Sequence, residues 1–331
     1  MSLPRLGVVV LCYASADVIG ECLDSLCASR GVDLDVVVCD NASPDTTLQV
    51  LERWAEQHAV DVAEFDARST ELETHHTPGG LTLIRSSRNL GFAGGVNIGL
   101  RALLSRSDID LFWILNPDAV VQPGTAAAFV EEASNGPAFS LMGGRTLYME
   151  APQLIQSDGG RVGRWSGMCR NVNQGYDPSG AVAPDPSTLD FVSGANMVVS
   201  RTFLETVGLM EEDYFLYYEE VDWAFRRGDL PLLVCPDAVV EHHGGTAIGT
   251  GSVNRRPSAF ANYYNYRNRM RFMRRFIPTG LVTSYVYSML KVLQLVLYGA
   301  WREAMGALRG LHNLSPLDRS ENQPSGGGVG V

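Results

Sequence analysis

Along its first half the chain alternates continuous apolar runs with amphipathic segments. Leu6 to Tyr13 is apolar, Asp17 to Ser29 places Val18, Cys22 and Leu26 at helical spacing, and Val36 to Cys39 is apolar again. The pattern continues with a helix over Asp45 to Gln57, a strand at Leu81 to Arg85, a helix over Gly91 to Leu104 and a strand over Ile109 to Leu115. Apolar strands separated by helices predict an α/β fold, its parallel sheet covered on both faces. Residues 58–80 are polar and end in Pro78-Gly79-Gly80, the pattern of a surface insertion.

The second half is less regular. Pro123 to Ala133 suits a helix with proline in its first turn, and Ala138 to Gly143 a strand. Residues 144–189 are rich in Gly, Pro, Asp and Ser, and predict a long loop region able to shape a pocket. Order resumes at Leu189 to Ser200, then come a helix over 201–207, an aromatic turn from Tyr214 to Tyr218, a helix from Glu219 to Arg227 and a strand at Leu232 to Val234. Pro257 to Phe276 interleaves tyrosines with arginines, and Thr279 to Trp301 is mostly apolar and long enough to span a bilayer. Basic and aromatic residues beside an apolar helix fit docking on an anionic leaflet; the competing reading is an amphipathic helix packed on the body or on a second subunit. The tail from Ser325 to Val331 is glycine-rich and reads as disordered.

Charge changes this picture in one respect. The net charge of -11 argues against a general nucleic-acid binder, but it averages two unlike regions. Residues 1–254 carry 15 Arg against 34 acids, whereas 255–275 carry seven Arg and no acid. Six scattered cysteines form no CxxC pair and read as small buried hydrophobes in a reducing cytoplasm. Met1 to Arg5 precedes only a short apolar strand, so no secretory signal is expected.

The candidate chemistry lies where apolar runs stop at acids. Val36-Val37-Val38-Cys39 ends in Asp40, Leu111-Phe112-Trp113-Ile114-Leu115 ends in Asn116-Pro117-Asp118, and the aromatic turn ends in Glu219-Glu220-Val221-Asp222. Carboxylates at the carboxyl edge of a parallel sheet stand where open α/β folds hold ligands, and three such sites suit an enzyme handling a metal-bound nucleotide diphosphate. The alternative for Asp40 or Asn41 is a turn in which the side chain bonds its own backbone, and both roles can hold together. The glycines of Arg88 to Gly99 are not spaced as a dinucleotide fingerprint, and they serve either a nucleoside pocket or tight helix-to-sheet packing.

Taken in order, seven segments resemble the family 2 glycosyltransferases with the GT-A fold, in particular their rhamnosyltransferase-like branch. These are Val8 to Tyr13, Val38 to Asp45, Arg88 to Gly99, Asn116-Pro117-Asp118, Phe191 to Ala195, Tyr218 to Asp222, and Pro236 to Gly245. The resemblance implies a GT-A domain over 1–254, with a nucleotide-sugar half to about 120 and an acceptor half beyond it. A helical extension over 255–315 and a flexible tail over 316–331 follow. It implies an inverting transferase that moves L-rhamnose from dTDP-L-rhamnose, or another sugar from a UDP-sugar, to a cell-envelope glycan or polyprenyl-linked acceptor. By the same resemblance Asp40 accepts from a pyrimidine imide, and Tyr13, Asn41, Arg88, Asn89, Gly91, Asn97 and Asn116 line the nucleotide site. Asp118, last acid of a DxD-like motif whose first position is Asn116, holds Mn²⁺ or Mg²⁺ with His242. Glu220 stands at the general-base position, with Glu219 and Asp222 as neighbouring candidates. The expected setting is cytoplasmic, peripheral on the inner face of the membrane, with homodimerisation through the C-terminal helices as a further expectation. A sugar-phosphate nucleotidyltransferase would need a glycine-rich phosphate loop that Ala14 to Asp17 does not offer. The non-enzymatic alternative is a silent glycan-binding or scaffold relative.

Overall fold

The computed structural model describes residues 3–69, 80–244 and 256–317. The expected glycine-rich tail, His75 and His76 of the polar insertion, and Gly245 lie outside the described residues.

Five parallel strands, β1 (Arg5–Cys12), β2 (Asp33–Asp40), β3 (Val62–Asp66), β4 (Leu81–Arg85) and β5 (Leu111–Leu115), stand in the order β3-β4-β2-β1-β5. Because side chains alternate along a strand, each apolar run supplies two cores. Val8, Val10, Trp113 and Leu115 face the core shared with α1 (Ile19–Cys27), α2 (Thr47–His58) and α4 (Thr125–Asn135). Val9, Phe112 and Ile114 face the other, shared with α3 (Gly91–Leu104). The register aligns Cys12 with Asp40, Asp40 with Arg85, and Val10 with Leu115, so four strands end at one edge. Asn41, Asn116 and the residues that follow them emerge there together.

Beyond β5 the sheet continues β5-β11-β7-β12-β6, with β8 on β7. These are β6 (Ala119–Val121), β7 (Leu141–Tyr148), β8 (Ala151–Ser157), β11 (Asn196–Ser200) and β12 (Leu233–His242). A separate hairpin is formed by β9 (Gly160–Val162) and β10 (Cys169–Asn171). Antiparallel pairing sets His242 of β12 opposite Ala119 of β6, which delivers the histidine next to Asp118. Two short helices, α5 (Arg201–Val207) and α6 (Glu219–Phe225), follow β11.

Several expected boundaries are corrected. The polar segment 58–80 contains β3, an edge strand whose residues alternate between exposed and half-buried, so no apolar run announces it. The expected loop 144–189 holds the end of β7 and all of β8, β9 and β10. Polar contacts tie this region down: buried Arg145 donates to both carboxylate oxygens of Asp158 at 2.9 and 2.8 Å, and Asn173 donates to the same group at 2.8 Å. The strand expected to stop at Val234 runs on to His242, past an irregularity between Cys235 and Val239 that accommodates Pro236.

The C-terminal extension comprises α7 (Ala259–Phe276), capped by Ser258 Oγ accepting the Ala261 amide at 3.1 Å, then α8 (Leu281–Leu297) and α9 (Trp301–Leu311). The apolar stretch expected over 279–301 is broken at Gly299, which has φ +70°. Among the described residues, one helical stretch, Pro278–Leu297, is long and apolar enough to cross a membrane by length and composition.

Candidate active site

Asp40 ends β2, is buried, and accepts the Ser43 amide at 3.4 Å through both oxygens. Two long bonds from a single N–H leave the carboxylate with acceptor capacity, and burial raises its pKa despite the Ser43 bonds. Asn41 locks the strand end to α3. Its Nδ2 donates to Asn89 Oδ1 and Gly91 O at 3.0 Å, its Oδ1 accepts the Leu90 amide at 2.8 Å, and Asn89 Oδ1 accepts the Gly91 amide at 2.8 Å. Gly91 has φ +75°, and a β-carbon there would collide with the backbone of Phe215, whose carbonyl accepts the Phe92 amide at 2.7 Å. Tyr13 is half-buried just past β1 and Arg88 is exposed on the loop before α3. Asn97 departs from the expected pocket role. Its amide donates to Met210 O and Glu212 Oε1, both at 2.9 Å, and accepts the Met210 amide at 3.1 Å, so it fastens α3 to the 210–212 segment.

Asp118, Asn116 and His242 converge. Asp118 Oδ1 lies 3.1 Å from His242 Nε2, to which Asn116 Nδ2 also comes within 3.1 Å. On the far side of the ring, His242 Nδ1 lies 2.7 Å from Gln156 Oε1, while Gln156 Nε2 donates to His242 O at 3.4 Å and thereby fixes the orientation of its amide. An amide oxygen only accepts, which assigns the proton of neutral His242 to Nδ1 and leaves on Nε2 a lone pair that accepts from Asn116 Nδ2 and lies beside the Asp118 oxygen. Two electron donors facing each other at this distance, held by an outer carbonyl, suit a cation between them. Among the described residues no cluster of three or more His, Cys, Asp or Glu side chains has metal-binding geometry, so the remaining ligands of such a cation would have to come from substrate or water.

The third group is held under strain. Phe215, Tyr217 and Tyr218 all have positive φ, at 64°, 66° and 71°, in the turn that starts α6. What holds them is α7: fully buried Asn268 donates from Nδ2 to Tyr214 O at 2.8 Å, Leu216 O at 2.6 Å and Tyr217 O at 3.1 Å. Beside it, buried Arg269 donates to the Tyr218 hydroxyl at 3.2 Å, and that hydroxyl donates to Gly167 O at 2.6 Å. The turn ends in Glu219 and Glu220. Burial, reinforced by the charge of Glu220, pushes the Glu219 carboxyl well above its ordinary range, and its Oε2 has no hydrogen-bond partner. Burial pushes Glu220 up to about 7, opposed by the backbone N–H groups of Glu220 and Val221. Both acids thus keep their protons above the ordinary carboxylate range, and the two titrate as a pair. Asp222 is not available as a base: it accepts from Tyr214 Oη at 2.9 Å, Arg226 Nε at 2.8 Å and Arg275 at 2.8 Å. Three donors around a fully buried carboxylate make it a structural anchor instead.

Gly194 lies where these groups meet. A β-carbon added to it would stand 3.4 Å from Phe92 Cζ at the start of α3 and 3.9 Å from Glu220 Cβ, while the next residue, Ala195, accepts the Asn116 amide at 3.1 Å. Reading the sequence did not single out Gln156, Asn268 or Arg269. Gln156 sits in an aperiodic stretch, and the other two sit inside an arginine-rich helix whose charge suggested an outward face.

Acids at the carboxyl edge of a mixed, mostly parallel sheet, with helices on both faces and at the C-terminus, define a glycosyltransferase of the GT-A fold. The mannosyltransferase PcManGT from Pyrobaculum calidifontis, solved with GDP-Man and Mn²⁺, is similar at a TM-score of 0.54 and 16% identity over 95% of this chain and 89% of that one. GalNAc-T7, solved with UDP, GalNAc and Mn²⁺, is similar at a TM-score of 0.53 and 13% identity over 81% of this chain and 51% of that one. The chain belongs to glycosyl transferase family 2, whose family model matches residues 7–208. The low-salt glycan biosynthesis hexosyltransferase Agl10 of Haloferax volcanii is 24% identical over 247 residues, covering 72% of this chain and 74% of that protein. The N-acetylglucosaminyl-diphospho-decaprenol L-rhamnosyltransferase of Mycobacterium tuberculosis is 25% identical over 261 residues, covering 74% and 78%.

Proposed function

We propose that this glycosyltransferase is inverting and moves L-rhamnose from dTDP-L-rhamnose to a lipid-linked glycan of the cell envelope, working at the cytoplasmic face of the membrane. The observation that carries the mechanism is the convergence of Glu220 and the Asp118–His242 pair about the Gly194–Ala195 segment. Asp40, buried with acceptor capacity to spare, takes the N–H of the pyrimidine, and Asn41 and Asn89 hold the edge on which the base rests. Asp118 Oδ1 and His242 Nε2 would hold a divalent cation, Mn²⁺ in preference to Mg²⁺ because of the imidazole, and its charge offsets that gathering on the departing diphosphate. Glu220 takes the proton of the acceptor hydroxyl as its oxygen forms the new bond to the anomeric carbon. The bond from that carbon to the diphosphate breaks on the opposite face. The rhamnosyl and lipid-linked parts of this reading are supported by the likeness to the mycobacterial N-acetylglucosaminyl-diphospho-decaprenol L-rhamnosyltransferase. The membrane setting is supported by the exposed apolar residues of α8, among them Val282, Leu290 and Leu297 at 73%, 61% and 76% exposure.

Calorimetry with dTDP, UDP and GDP, each with and without Mn²⁺, tests the donor. Metal-dependent preference for dTDP, lost in Asp118→Ala, is the expected result. Tighter UDP binding would assign the donor to the UDP-sugars under the same mechanism, and nucleotide binding without release of nucleotide diphosphate from any donor would make the protein a silent scaffold.

A further inference from the structure

The hairpin β9–β10 borders an open cleft of about 620 Å³ that the mechanism above does not use. Its charge is the reverse of the body around it: residues 159–176 carry Arg161, Arg164 and Arg170 and no acid, within a region where acids outnumber arginines 34 to 15. All three arginines line the cleft, with Trp165 and Tyr176, which are 72% and 63% exposed. Arg164 is paired with Asp190 at 2.6 Å, Arg161 Nε donates to Thr188 O at 2.9 Å, and Arg170 is exposed.

Two links place the cleft. At one end the lining residue Asn171 donates to Gln156 O at 3.1 Å, and Gln156 is the residue that holds His242. At the other end Thr283 and Ser284, in the first turn of α8, donate to Trp165 O and Ser166 O, both at 2.8 Å. The exposed apolar face of α8 begins there with Val282. Reaction centre, cationic and aromatic cleft, and apolar helix therefore follow one another across the surface.

We propose that this cleft is the acceptor site and that it takes a saccharide carried on a lipid diphosphate. Guanidinium groups grip the diphosphate, the exposed rings of Trp165 and Tyr176 stack on the saccharide, and the lipid leaves along α8. This rests on the lipid-linked reading above and adds the residues that recognise the acceptor.

The test uses the full chain, wild type and Arg170→Ala, with farnesyl-diphosphate-N-acetylglucosamine as probe in calorimetry. The wild type binds the probe, Arg170→Ala weakens it by about tenfold or more, and dTDP affinity is the same in both. Octyl N-acetylglucosaminide, which lacks the phosphates, binds both proteins equally. No binding of the probe to wild type, or equal binding by the two proteins, overturns the proposal. So does a loss confined to phosphatidylglycerol vesicles, which would make the arginine a headgroup contact. Failure of the donor reading is separate: an Arg170-dependent probe affinity in a protein that does not turn over dTDP-L-rhamnose leaves the cleft standing, whereas rhamnosyl transfer with the same acceptor KM in Arg170→Ala removes the cleft and keeps the reaction.

Discussion

Helices α7 and α8 are neighbours in sequence, and their burial is the inverse of their hydropathy. Arginine-rich α7 is largely buried, with Asn268 and Arg269 at 0% and 4% exposure. Apolar α8 buries Ser284, Ser288 and Val292 and leaves Val282, Val286, Leu290, Leu293 and Leu297 in the open. The reason is the identity of the partners. Arg271 and Arg275 meet Asp213 and Asp222 at 3.1 and 2.8 Å, so the positive face of α7 is turned to the acidic body. The serines of α8 face inward because Ser284 reaches Ser166 O and Ser288 accepts from Arg269 at 3.2 Å. Much of the basic block read as a membrane contact is thus internal wiring; of its last two arginines, Arg274 is exposed and Arg275 is bound to Asp222.

If α7 works by holding the turn, the largest effect comes from what the turn carries. Glu220→Gln is expected to lower kcat by about 10²- to 10⁴-fold, read as steady-state release of nucleotide diphosphate. In the wild type a base that ionises near 7 makes kcat/KM rise with pH through about 7. The same shift has an opposite sign for stability: a carboxyl raised in the fold above its unfolded value near 4.5 favours the folded state at low pH. That contribution is lost as pH rises through about 7. Glu220→Gln therefore unfolds at higher denaturant than wild type at pH 8, and the difference shrinks toward pH 5.

Next in size is Asn268→Ala, which removes one amide from three backbone carbonyls at a cost of about 1–3 kcal/mol. Its kcat should fall with dTDP affinity intact, and the acid limb of the pH profile should drop below that of wild type as Glu220 becomes hydrated. A lower melting temperature with an unmoved acid limb would reduce α7 to scaffolding.

The smallest effect falls on α8. Leu290→Lys with Leu293→Lys should change folding stability by no more than about 0.5 kcal/mol per site, since both side chains are exposed. The pair should still abolish co-sedimentation with lipid vesicles. A large loss of stability would show instead that this face is covered within the protein or by a second copy.

How much of this could be read beforehand differs by region. The parallel half was legible, the edge strand β3 apart, because β1, β2 and β5 are built on unbroken apolar runs, and those of β2 and β5 stop where the candidate chemistry begins, at Asp40 and Asn116. Asp118 and His242 are far apart in sequence, and the motif order brought them together where periodicity could not. The β8 to β10 region was illegible because its stabilisation is polar: the Arg145–Asp158 pair and the Asn171, Asn173 and Gln156 bonds leave no hydrophobic period. Asp222 and Asn97 looked like site residues because their types suit chemistry. Only the side chains facing them, Arg275 and Arg226 in one case and Glu212 in the other, assign both to structure.

The strained turn has a consequence in time. Protein chains emerge from the ribosome N-terminus first and fold by units. The strand that ends in Asp40 and the turn after β5 that carries Asp118 belong to the first part to appear, and Glu220 follows, but the amide that sets its turn arrives only with Asn268 in α7. A nascent chain thus completes the strands that end at Asp40 and before Asn116 well before the turn carrying Glu220 can be fixed. On the proposed reading, turnover waits on a helix made late in synthesis, and α7 serves as the safety catch on the reaction.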